Sequence, residues 1–216
     1  MIKFNELINK RMKFMKIGVL GYASVGKNLE VLFKNAGYTT IIGVRSPEKY
    51  EQDNVTDIVA AAEDADTVVL AIPYRVCSEV LPDLKMALSK KIVIDATNPL
   101  NEDYSPILFD KEDSAGETLQ RILGESMMVK AFNTIFADNM TREKLDRDGR
   151  KLTTFIAGDN DPANEKVLQL AEKIGFSPID TGPLKNSRYL ESMAYLTIQV
   201  AVAQGKCLGV AFLYDR

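Results

Sequence analysis

The chain has 216 residues, 46% of them hydrophobic, with a formal net charge of −3, two cysteines and no histidine. That size and apolar content suit one large α/β core, while the mild acidity without a basic stripe excludes nucleic acid as the main partner. Lack of histidine removes the commonest general base, the usual hydrolase triads and most catalytic zinc sites, so no metal is expected.

Cys77 and Cys207 have no paired spacing, which predicts two buried thiols in a reducing compartment. No apolar run approaches a membrane span and the N-terminus lacks the core of a signal peptide, so a cytoplasmic protein with no membrane partner is expected. Residues 1–14 read as an N-terminal extension without assigned function, with Met12 or Met15 as alternative initiators.

Residues 17–20 read as a short buried strand and 21–26 as a tight turn. Val25, Leu29, Leu32, Phe33 and Ala36 then recur at helical spacing until Gly37, and a second strand covers 39–44. The turn is a variant of the G-x-G-x-x-G fingerprint, with Gly21 for the bend, Ala23 in the middle position and Gly26 for close helix–strand packing. Tyr22, Ala23, Ser24 and Val25 lie where a helix N-terminus would meet a pyrophosphate. An NAD site wants a carboxylate at the end of the second strand. Here Arg45 and Ser46 stand there, with Lys49 close behind, which suits a 2′-phosphate and predicts NADP.

Further along, 55–62 carries helical spacing, 66–72 is a buried strand ended by Pro73 and Tyr74, and Val80 to Leu88 mark a helix with Pro82 in its first turn or breaking it. A strand over 91–96 ends in Thr97, Asn98 and Pro99, and 100–116 is a surface loop. A short helix near 119–123 precedes a strand over 127–132, followed by Asn133 and Thr134. Residues 141–150 read as a charged helix or loop, 153–157 as a strand, and 176–180 as a last strand. Between those two strands lies a helix with Asp161 as N-cap, Pro162 in its first turn and Gly175 at its end.

This alternation predicts an α/β, Rossmann-like, doubly wound, mostly parallel sheet over 15–182, with a C-terminal helical extension over 183–216. The helix near 184–204 has little polar face and must be covered, by a second copy of the chain in a homodimer or by the C-terminal tail. Ligands of such sheets bind beyond the carboxyl ends of the strands. The rim then runs from Arg45 at the adenosine end, through Ala23 to Val25, to Pro73, Pro99 and Asn133 at the nicotinamide end. Lys130 and Tyr189 are candidates for moving a proton, although a strand lysine is more often a solvated edge.

The segments GYASVG, VRSPEK, VLAIPY, VIDATNPL, VKAFNTI and DTGPLKNSRYLE, in this order, resemble the family of NADPH-dependent reductases of the deazaflavin coenzyme F420, which also resemble the cytoplasmic domains of membrane ferric reductases. The resemblance implies NADP bound through the glycine turn, Arg45 and Ser46, and hydride exchange with F420 or a related flavin such as FMN or FAD. It places the rings near Ala71, Ile72, Pro73, Tyr74, Asn98, Ala131, Asn133 and Thr134, and near the C-terminal residues 208–212. Asn133, where some members carry histidine, is expected to orient a ring or carboxamide edge. A non-catalytic NADP sensor and a small imine or hydroxyacid dehydrogenase are the alternatives.

Overall fold

The computed structural model describes residues 15–109 and 112–215, so the expected N-terminal extension lies outside the described residues. The chain runs β1 (Lys16–Leu20), α1 (Ser24–Asn35), β2 (Thr39–Val44), β3 (Val55–Asp57), α2 (Ile58–Asp64), β4 (Thr67–Leu70), α3 (Tyr74–Leu84), β5 (Ile92–Asp95), α4 (Ala115–Leu123) and β6 (Met127–Lys130). It continues with α5 (Arg142–Leu145), the hairpin β7 (Asp146–Arg147) and β8 (Arg150–Lys151), β9 (Thr153–Gly158), α6 (Asp161–Lys173), β10 (Ser177–Asp180) and α7 (Ser187–Ala203).

Eight strands form one sheet in the order β10-β9-β6-β5-β4-β1-β2-β3. All pairings within it are parallel except β6 with β9. Both sheet faces are covered, which is why β4, β5 and β9 are buried along their whole length. Leu29, Leu32 and Phe33 of α1 and Val167 and Leu170 of α6 pack with Val19, Ile94 and Val129. Ala61 of α2, Leu81 and Leu84 of α3 and Leu119 of α4 pack with Leu20, Val68, Leu70 and Val93. The order reverses at β1 and β4, which opens a crevice at their carboxyl ends.

Four local expectations change. Residues 55–57 add an edge strand to β2 before α2 begins, and Asp57 caps that helix by accepting from Val59 N at 2.8 Å. Helical spacing cannot separate so short a strand from the helix it feeds. Pro82 lies in the last turn of α3, which starts at Tyr74; only one ladder bond is forgone there. Asn160, not Asp161, caps α6, its side chain accepting from Ala163 N at 3.0 Å. Cys77 is buried as expected, but Cys207 is exposed.

The C-terminal helix buries Leu190, Glu191, Ala194, Thr197 and Ala201 against the domain. Tyr189, Leu196 and Val202 stay 69%, 56% and 58% exposed, so the tail does not cover these side chains. The tail instead runs along β9: Thr153 N donates to Phe212 O at 3.1 Å, and Asn139 Nδ2 donates to Leu208 O and Val210 O at 2.9 and 3.0 Å. Among the described residues no helix is long and apolar enough to cross a membrane.

Candidate functional site

Backbone hydrogen bonds carry the sheet past its named strands and form a continuous rim. Gly21 N donates to Gly43 O, Ala71 N to Leu20 O, Ala96 N to Leu70 O and Ala131 N to Asp95 O. The turns after β1, β2, β4, β5 and β6 are thereby brought side by side, and the predicted site residues from Gly21 to Thr134, apart from Lys130 at the end of β6, sit on or next to them; Tyr189 lies on α7 and residues 208–212 in the C-terminal tail.

At the centre, Gly21 has φ +102°, and a Cβ there would stand 2.5 Å from Ala71 O. A Cβ on Gly26 would stand 2.1 Å from Gly21 O. The two glycines therefore let α1 start directly against the strand end. Ala23 is the extended N-cap of α1 and offers no side-chain cap, which leaves the first N–H groups of the helix pointing out of the turn. Ala23 and Ser24 are exposed, and Tyr22 and Val25 half-buried. This is the geometry of an anion cradle.

Arg45 and Lys49 are exposed at the end of β2, and Ser46 is half-buried between them. Two residues that sequence reasoning missed join them. The Tyr22 and Tyr50 rings meet edge to face at 5.6 Å, and Lys27 Nζ lies 5.3 Å from the Tyr22 ring centroid. Their signal was positional: Lys27 falls in the first turns of the fingerprint helix and Tyr50 just beyond Lys49.

On the other side of the crevice, Ala71 and Ile72 are half-buried and Pro73 is exposed. Tyr74 is half-buried, its ring packs edge-on against Phe109 at 5.8 Å, and burial raises its pKa. Pro99 and Ala131 are buried and act as backing. Asn98 and Asn133 interlock: Asn98 Nδ2 donates to Asn133 O at 2.7 Å, and Asn133 Nδ2 donates to Asn98 Oδ1 at 3.0 Å and to Leu190 O of α7 at 3.1 Å. Phe132, with φ 65°, turns the chain just before Asn133. Buried oxygens Thr97 Oγ1, Asn133 Oδ1 and Thr134 Oγ1 have no hydrogen-bond partner in the protein. Three orphaned oxygens on two adjacent turns fit a ligand edge that carries donors.

Directly below lies a charge cluster that corrects the surface reading of Lys130. Its side chain is fully buried, and Nζ contacts Asp95 Oδ2 at 2.8 Å, Thr97 O at 2.8 Å and Glu191 Oε1 at 2.9 Å. Glu191 also accepts from Ala115 N and Gly116 N, both at 3.0 Å, at the start of α4. Burial pushes the lysine pKa down, but Asp95 and Glu191 more than offset this and hold it above its ordinary value. No solvent reaches this ammonium, so it is not a ready proton donor. Tyr189, the other proton candidate, is 69% exposed.

The comparisons with known proteins bear on family and fold. Residues 16–99 match the family described as NADP oxidoreductase, coenzyme F420-dependent. The F420-dependent NADP reductase of Methanothermobacter thermautotrophicus is 31% identical over 217 residues, covering 89% of this chain and 91% of that protein. The chain belongs to the F420-dependent NADP reductase family. Its fold matches a crystal structure from Arthrobacter sp. FB24, described as a candidate F420-dependent NADP reductase, with a TM-score of 0.82, 26% identity and coverage of 94% and 100% of the two chains. Human metalloreductase STEAP2 is 28% identical over 189 residues, 85% of this chain. The chain spans only 36% of that relative's length. Family and fold thus stand as the sequence predicted them, and the family is one of oxidoreductases that use NADP.

Proposed function

We propose that the protein is an NADP(H)-dependent oxidoreductase that exchanges a hydride between the nicotinamide and the ring of coenzyme F420 or a related flavin. The observation that carries this reading is the unbroken rim from Arg45 through the Gly21–Gly26 turn to Asn133, within a chain of the F420-dependent NADP reductase family. When bound, NADPH supplies the hydride from C4 of its nicotinamide, so the protein's contribution is orientation and exclusion of water.

Each part of the rim has a task in this scheme. Arg45, Ser46 and Lys49 grip the 2′-phosphate, with Lys27 adding charge from α1. The N–H groups at the start of α1 take the pyrophosphate. Ile72 and Pro73 give an apolar wall for stacked rings. Asn133 Oδ1, with Thr134 and Thr97, accepts from an amide edge and fixes which face of the ring is presented. The scheme requires no histidine, in keeping with the composition.

A homodimer through α7 belongs to the same proposal, since Tyr189 and Leu196, two turns apart on one side of the helix, are exposed apolar side chains. Sedimentation of the wild type and of Leu196→Glu reads this directly: a dimer that the variant dissociates supports it, and a monomeric wild type opposes it.

The chemical test follows deuterium from C4 of NADPH into F420 under anaerobic conditions. Carbon-bound deuterium in the reduced product is the expected result. Oxidation of NADPH with no label in the acceptor would rule out direct transfer.

A further inference from the structure

The orientation of Asn133 is set by two neighbours, the turn bearing Asn98 and the carbonyl of Leu190 on α7. Both hydrogens of its amide are used by these partners, which fixes the amide plane and leaves Oδ1 buried and unpaired. Neither partner belongs to the strand that carries Asn133. Something must hold the turn after β5 and the first part of α7 in register with the end of β6.

Lys130 touches both. Its ammonium donates to Thr97 O, one residue before Asn98, and pairs with Glu191, one residue after Leu190. Asp95 completes the grip from below: Oδ2 meets Lys130 Nζ, while Oδ1 accepts from Thr97 N at 2.8 Å and shapes the same turn. Glu191 is held in turn by the N–H groups at the start of α4. All the charges in the cluster are buried, with Lys130 and Asp95 at 0% exposure and Glu191 at 7%. A buried ion cluster is poor value as a stability device, because desolvation offsets most of its attraction. What it does impose is geometry, since three chain segments meet on one ammonium.

We propose that Lys130 is a positioning residue: by clamping the Thr97–Asn98 turn and α7 onto β6, it aims Asn133 Oδ1 at the nicotinamide end of the cofactor. The proposal rests on the NADP reading above. It makes the C-terminal helix part of the binding rim, and it predicts that loosening the cluster disturbs one end of the cofactor and spares the other.

The test uses two ligands on the full chain. 2′,5′-ADP reports only the adenosine end, and NADPH reports both. Lys130→Met removes the clamp. Glu191→Gln keeps the shape of the side chain, removes its charge and turns one acceptor oxygen into a donor, so it loosens the cluster where Lys130→Met does not fold. Calorimetric titration should show NADPH weakened about tenfold or more in a folded variant, the scale of one lost well-placed hydrogen bond, with 2′,5′-ADP within about twofold of wild type. Parallel loss of both ligands, or no loss of either, would overturn the proposal. A wild type that binds neither ligand would instead overturn the NADP reading itself.

Discussion

A Cβ on Gly26 would lie 2.1 Å from the carbonyl oxygen of Gly21. The obstacle is backbone on both sides, so it cannot be relieved by a side-chain rotation. Gly26→Ala should therefore push α1 away from β1, costing about 1 to 3 kcal/mol as overpacking does and spoiling the pyrophosphate cradle. Thermal denaturation and NADPH titration of the variant check both halves. Unchanged affinity would mean the cradle is elsewhere.

Arg45 is the cation that the 2′-phosphate would meet at the end of β2. Arg45→Ala should weaken NADPH by about 1.5 to 3 kcal/mol, as for a lost charge-assisted hydrogen bond, and leave NADH almost untouched. Lys27→Ala should act in the same direction with smaller effect. Equal losses for both nucleotides would show that the 2′-position is read by other groups.

The two thiols should behave differently. Burial pushes Cys77 up to about 12, and its Sγ sits 3.6 Å from Pro73 O, whereas Cys207 is exposed. Iodoacetamide should label Cys207 alone in the native protein and Cys77 only after unfolding, as read by peptide mass spectrometry. Rapid labelling of Cys77 in the folded state would contradict the packing of α3 against the sheet.

Acid should loosen the contact between α7 and α4. Arg188 bonds both oxygens of Glu117, at 2.7 and 2.9 Å, and this holds the glutamate below its ordinary value of 4.5. A carboxylate whose folded pKa is depressed stabilises fully above its unfolded pKa, and that contribution fades as pH falls through the folded one. The melting temperature of wild type should therefore exceed that of Glu117→Gln at neutral pH, and the gap should close below the ordinary glutamate value. A gap that persists into strong acid would assign the effect to packing.

The fold was legible because its signals are local. A glycine pair with fixed spacing, β-branched strands and capped helices each declare themselves within a few residues, and the family motifs fall on the same positions. The place of Arg45 and Ser46 was legible for the same reason, since they follow β2 directly. Lys130 was not. A lysine at the end of a strand looks solvated until α7, sixty-one residues on, delivers Glu191 to it, and no spacing rule carries that distance. The interlock of Asn98 with Asn133 was hidden likewise, although each asparagine was already marked as a strand terminator. Edge strand β3 was missed because three residues are too few to show a period.

The central claim is hydride transfer from NADPH to a ring acceptor, and anaerobic turnover tests it most directly. Purified protein is given NADPH with F420, FMN, FAD or ferric chelate in turn, and NADH as control, while the near-ultraviolet absorbance of the reduced nicotinamide is followed. Oxidation of NADPH with F420 or one flavin, and far slower oxidation of NADH, is the predicted result. Tight NADPH binding with no turnover of any acceptor would contradict it and mark the chain as a protein that binds the nucleotide without using its hydride.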